Sequence, residues 1–394
     1  MSGTQGDLPS TLPAPRRGFF RTTLDFWCRP VAAAPVALFR ILIGTVLLVS
    51  TLSSLWPYLE RYAGADGLCA PKALDDWLEW NGRFTVLRGP VSIPFLGTRP
   101  KNDPFRVVLP DKPLLSKESA DAWTRWMEDP AHVRLLFWVW VGVLAAMTVG
   151  FCTRPATFLS WLLTLSFIQR LTWLKNGGDD ILFLSLFYLM FTPSGKVWSL
   201  DRWLWRRRRS PDAATVTVPA WPIRLMQIQI CMVYLFTGLV KVLQGWPENK
   251  GWREGIAEQD WLNGSAVYWV LNDVALNRFP YSAVPIPLFV CKLLSWGTVL
   301  FEIGFTPLVL FRRLRPWLLL GGIAFHLGIW IHTEVGYFSP AMLSWYVLFL
   351  PPGAVNRFFA RFRRWGMEGR KTQLGGDGVK SNHREEKLAT DEHR

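Results

Sequence analysis

VAAAPVALFRILIGTVLLVSTLSSL, residues 31–55, contains one ionisable side chain, Arg40, in twenty-five residues. Wound as an α-helix at about 1.5 Å per residue, it reaches about 37 Å, enough to cross a hydrocarbon core of about 30 Å. Seven further apolar runs follow: Arg134–Phe151, Pro155–Trp173, Ile181–Phe191, Trp221–Leu243, Ile286–Phe311, Trp317–Ile331 and Tyr337–Leu350. Helices and closed barrels are the structures that satisfy every backbone polar group inside lipid. Runs of this length predict helices, and the fold class expected is an all-α polytopic bundle of about eight spans.

Ile181–Phe191 is short enough to be a re-entrant segment. The charges argue for a full crossing. With the N-terminus in the cytoplasm, Arg16, Arg17, Arg21 and Arg29 fall inside, as do Arg154, Arg206–Arg209, Arg312, Arg313, Arg315, Arg357, Arg361, Arg363 and Arg364. They share one side only if Ile181–Phe191 spans, which puts both termini in the cytoplasm by the positive-inside rule. The loops around Trp77 and Trp261 then lie outside. Residues 1–30 read as a cytoplasmic polar arm, 31–352 as the membrane domain, and 353–394 as a basic segment with a disordered cytoplasmic tail. No cleavable signal peptide is expected, so the first span would direct insertion.

Composition narrows the function. The net charge of +14 lies in short clusters beside apolar runs, which points to topology and anionic lipid and away from nucleic acid. The 23 Trp suit membrane interfaces. Cys28, Cys69, Cys152, Cys231 and Cys291 are scattered without a CxxC pair. Neither a disulfide framework nor a metal site is expected.

Polar residues inside the spans carry the chemistry, because burying them in hydrocarbon is costly. Arg40 and Glu302 are the structural polar candidates. Arg40 either snorkels or joins a buried ion pair, and Glu302 pairs with Arg40 or another cation. In the fifth span, Gln229 and Tyr234 precede Lys241, and the step Tyr234–Gly238–Lys241 keeps one helix face. Lys241 is either an interfacial lysine or a functional amine. His326 lies in the seventh span. The outer turn Asn176-Gly177-Gly178-Asp179-Asp180 is either an ordinary turn or a site of close backbone approach. An amine in a low-dielectric cavity can be neutral and act as a general base, with amide donors stabilising developing negative charge. Such a cavity suits a lipid-soluble substrate.

Several of these residues form an ordered set: Ala37-Leu-Phe-Arg40-Ile-Leu-Ile-Gly44, Asn176-Gly-Gly-Asp179, Ser199-Leu-Asp201, Tyr234-Leu-Phe-Thr-Gly238-Leu-Val-Lys241 with Trp246, and His326 followed by Gly336 and Phe338. From about Ala37 to Leu350 the chain resembles the horizontally transferred transmembrane (HTTM) domain shared by vitamin K-dependent gamma-carboxylase and its bacterial relatives. The resemblance implies an extracytoplasmic site in which Lys241 is the base that deprotonates a reduced, vitamin K-like quinone. His326 is the second catalytic candidate, and Asn176, Asp179, Gln229, Tyr234 and Trp246 are the substrate-binding ones. Val240 stands where the carboxylase has a second lysine. Gly177 or Gly178 stands where it has a histidine, and its large luminal domain has no counterpart after the last span. These departures speak against carboxylation of glutamates in a secreted protein partner. They leave quinol chemistry by a bacterial inner-membrane protein as the leading expectation. A non-enzymatic carrier or assembly factor is the alternative.

Overall fold

The computed structural model describes residues 19–63, 67, 122, 126, 129–171, 174, 176–205, 216–243, 259–351 and 353–357. The described residues are mainly helical, with one two-residue strand pair among them, β1 (Val31–Ala32) against β2 (Thr217–Val218). In chain order the α-helices are α1 (Phe19–Cys28), α2 (Ala34–Ser50), α3 (Leu59–Ala63), α4 (Pro130–Val149), α5 (Thr153–Arg170), α6 (Gly177–Met190), α7 (Leu200–Trp205), α8 (Trp221–Leu243), α9 (Gln259–Asn263), α10 (Ala266–Asn272), α11 (Leu288–Val309), α12 (Arg315–His332) and α13 (Phe338–Trp345). Among the described residues, four helical stretches are long and apolar enough to cross a membrane: Ala34–Tyr62, Pro130–Val149, Trp221–Leu243 and Leu288–Val309.

Local chemistry sets the helix ends. Pro35 is tolerated in the first turn of α2, where its missing N–H has no intrahelical partner to lose. The helix then widens to π winding over Thr51–Leu55 and tightens to 3-10 over Trp56–Tyr58. Pro57 explains the change, since its ring and absent N–H cannot continue the α ladder. Asp129 caps α4 by accepting the N–H of Ala131, and Gly150 closes that helix at φ +76°. The sixth helix starts four residues before the apolar run Ile181–Phe191. Asn176 and Asp179 form a capping box there, which recruits Gly177–Asp180 into its first turn. The expected polar arm ends in α1, tied down by Arg224, whose guanidinium lies 4.8 Å from the Phe26 ring. The Trp-rich loop after α8 contains α9 and α10.

Aromatic packing fills the centre. Trp140 stacks on Phe167 at 4.5 Å, and Phe39 meets Trp345 edge-on at 5.4 Å. Outward-facing side chains are apolar as well: Leu300 is 73% exposed, and Leu293, Leu310, Phe311 and Trp317 are exposed too. A bundle that is apolar both inside and outside is built for lipid.

Candidate functional site

Two polar assemblies lie within this bundle. The first is carried by α8. Tyr234 and Gly238 share its buried face, and Lys241 follows at the end of the same stripe. Gly238 lies so close to α11 that a Cβ there would meet Ile303 Cγ1 at 2.7 Å and Glu302 Cβ at 3.0 Å. That approach lets Lys241 reach across. Its Nζ donates to both Glu302 oxygens, at 2.9 and 2.7 Å. The Trp261 ring covers the ammonium, with its centroid 4.9 Å from Nζ. Glu302 is 7% exposed, so the pair is largely withdrawn from solvent.

Two turns deeper, the Tyr234 hydroxyl is 2.6 Å from His326 Nε2 and 2.6 Å from the Tyr346 hydroxyl. All three side chains are buried. Gly322 on α12 leaves room for the Tyr346 ring, since a Cβ there would overlap it. Among the described residues, His326 Nδ1 has no hydrogen-bond partner. Gln229 lies apart from this chain and accepts from the Tyr188 hydroxyl at 3.2 Å.

The second assembly is a cavity of about 700 Å³. One wall is the π-wound end of α2, through Ser50, Thr51 and Ser54. The Asn176–Asp179 cap of α6 and the Glu334–Phe338 turn also line it. Asn176 accepts the Gly178 N–H at 2.7 Å, and Asp179 accepts the Asn176 N–H at 2.9 Å. The polar atoms of this turn therefore hold its shape. Gly178 carries no Cβ because the Phe338 backbone is 3.0 Å from where it would sit. Neither Lys241 nor His326 lines the cavity. His326 stands behind Phe338, ring to ring at 5.6 Å. The single pocket that sequence reasoning suggests for Lys241, His326 and the Asn176 turn is thus two assemblies separated by aromatic rings.

Arg40 and Glu302 do not meet. Arg40 is fully buried, and its guanidinium donates to the carbonyls of Ser194 at 2.8 Å and Trp198 at 2.5 Å. It braces the turn that presents Asp201. That carboxylate accepts the N–H groups of Cys152 and Thr153 and the Thr153 hydroxyl, at 2.7–2.8 Å, and so caps α5. Burial pushes the Asp201 carboxyl up, but the Thr153 hydroxyl, the Thr153 and Cys152 N–H groups and the Arg40 charge outweigh it. The carboxyl stays below its ordinary value.

The HTTM domain pattern matches residues 122–353, more than half of the chain. The chain belongs to the HTTM domain family. No curated protein and no solved structure shows a significant match to it. Lys241, Glu302, His326, Tyr234 and the Asn176 turn all fall within the matched HTTM region. Arg40 precedes that region and packs into it through its two carbonyl contacts. Together with the apolar helices, membership fits an integral membrane protein related to the gamma-carboxylase membrane domain. Trp246, Trp77 and Arg206–Arg209 lie outside the described residues.

Two side chains of the first assembly carry little signal in the sequence. Tyr346 was hidden in a run read only as an apolar span, although a buried Tyr hydroxyl usually seeks a partner. Trp261 falls in a loop by its sequence, and only its position over Lys241 marks it.

Proposed function

We propose that the protein moves protons at a lipid-soluble quinol, with Lys241 as base and Glu302 as its proton partner. The Lys241–Glu302 pair carries this reading. An interfacial lysine would extend its ammonium to water; this one is turned inward onto a carboxylate. The surroundings suit a quinol: Trp261 sets an aromatic ring against the amine, and the amine and carboxylate offer proton sites. When bound there, the quinol supplies an acidic hydroxyl and the electrons for reaction with oxygen. Lys241 and Glu302 handle the proton. Passing one Nζ proton to Glu302 Oε2, 2.7 Å away, converts the ion pair into a neutral amine and acid. The amine lone pair can then take a hydroxyl proton. Glutamate carboxylation is left out of this reading, because Val240, Gly177 and Gly178 replace the second lysine and the histidine that the family resemblance would require.

Eight crossings, both termini cytoplasmic and a bacterial inner membrane complete the proposal. A helix overlaps each of the eight apolar runs, which supports that count. At 14 residues α6 is about 21 Å long, so the bilayer would thin around it.

One observation favours a second, non-enzymatic reading, a lipid carrier or assembly factor. The 700 Å³ cavity is large enough for a lipid-like ligand yet lacks Lys241 on its wall.

The test uses purified protein in detergent with reduced menaquinones and ubiquinones under oxygen, followed by chromatography for epoxide or quinone. Removing one partner of a buried ion pair strands the other at a cost of roughly 3–5 kcal/mol. The informative variant is therefore the double Lys241→Met/Glu302→Gln, with Lys241→Arg beside it. Wild type should turn over a quinol faster than the uncatalysed control, and both variants should not. Full activity in the double variant would remove the pair from the mechanism. A folded wild type that turns over no quinol but co-purifies with a lipid would select the second reading.

A further inference from the structure

We propose that a cleft at the other end of α5 and α6 binds the phosphate of an anionic membrane lipid. The cleft, about 360 Å³, lies where the first turn of α5, the Ser194–Lys196 turn and α7 come together. Three cations line it, one from each element: Arg154, Lys196 and Arg202. Among the described residues its wall holds one carboxylate, Asp201, which is engaged as the cap of α5. Three cations against one engaged carboxylate give the described lining an excess of positive charge.

Two of these cations are held in place. Arg202 donates from Nη1 to the Lys196 carbonyl at 2.7 Å, and Lys196 donates from Nζ to the Thr217 carbonyl at 3.1 Å. Gly195 brings the turn against Thr153 so closely that a Cβ would overlap the Thr153 side chain, which sets the floor. Held cations on a fixed floor lose little entropy on meeting an anion. Guanidinium and ammonium donors together match the charged oxygens of a phosphodiester.

The surroundings select a lipid. Trp205 is 81% exposed on the cleft's edge, and Trp203 and Leu204 beside it are exposed as well. Phe151 and Phe191, also exposed, adjoin the two loops that form it. Cations bordered by outward Trp, Leu and Phe match the level where headgroups meet acyl chains. A soluble anion would have no use for that apolar rim.

The proposal can be tested by native mass spectrometry of the detergent-purified full chain. Phosphatidylglycerol, phosphatidylcholine or inorganic phosphate is added in turn. Wild type should retain phosphatidylglycerol in preference to phosphatidylcholine. Arg154→Gln and Arg202→Gln should each lower that retention about fivefold, the effect of one basic residue at an anionic surface. Lys196→Arg should keep it, which controls for misfolding, and Arg312→Gln, in a different basic cluster, should leave it unchanged. Equal retention of the two lipids would overturn the proposal, as would an equal loss in Arg312→Gln. Inorganic phosphate that binds and displaces phosphatidylglycerol at matched concentration would identify a free-anion site instead, and would equally overturn it.

Discussion

Asp201 shows how one side chain couples two elements. It sits on α7 but completes α5, satisfying backbone donors that the helix cannot satisfy itself. Its carboxyl is held below the ordinary value, so its contribution is complete above the unfolded-state value. That contribution is lost as pH falls through the lower folded-state value. The thermal midpoint of wild type in detergent should therefore drop on acidification through that window. Asp201→Asn removes the titrating group and should lower stability at neutral pH by about 0.5–2 kcal/mol, the usual worth of an N-cap. It should also flatten the acid dependence. An unchanged acid profile in the variant would mean that other carboxylates dominate. Arg40 belongs to the same unit, since it donates to the carbonyls of Ser194 and Trp198 just before the Ser199-Leu-Asp201 stretch.

At the scale of elements, glycines set the helix spacing. α8 and α11 approach at Gly238, where a Cβ would meet both side-chain and backbone atoms of Ile303 at 2.7–3.0 Å. A methyl there must push the helices apart. Gly238→Ala should cost roughly 1–3 kcal/mol, as overpacking does, and should loosen the Lys241–Glu302 contact one turn away. Gly142 on α4 is the control, since nothing lies within 4 Å of its Cβ position. Gly142→Ala should be neutral or should stabilise by up to about 1 kcal/mol, because alanine loses less backbone entropy in a helix. Thermal unfolding of the two variants side by side checks the contrast, and equal midpoints would show that the helices adjust freely. Small residues matter more here than in water, because no hydrophobic force drives helices together in lipid and close van der Waals contact must do so.

For the whole molecule, the two clefts lie at opposite ends of α5 and α6. Thr153 lines the smaller one, while Phe167, Gly177 and Gly178 line the larger. If the positive-inside assignment holds, the larger cavity faces outward and the smaller one the cytoplasm. Single cysteines placed in a cysteine-free background test this with an impermeant maleimide on intact cells. Asn277→Cys should label from outside, and Arg154→Cys should label only after the membrane is permeabilised. The reverse pattern would invert the topology and move the proposed lipid cleft to the outer leaflet.

Apolar runs longer than a bilayer is thick determined by themselves that the chain is helical and lipid-embedded, since a span's backbone must bond internally whatever its neighbours do. Periodicity also put Tyr234, Gly238 and Lys241 on one stripe. Which groups meet was a tertiary decision. Glu302 lies sixty-one residues from Lys241 and Tyr346 lies 112 from Tyr234, and no local rule sets such separations. The pairings depend on the depth at which two helices cross, and that is fixed by where glycines permit contact. The winding change after Ser50 was likewise invisible in the apolar pattern, because hydropathy does not register how a helix accommodates Pro57. Thr51 and Ser54 of that segment line the cavity. Packing also inserted Phe338 between His326 and the Asn176 turn, dividing one expected site into two.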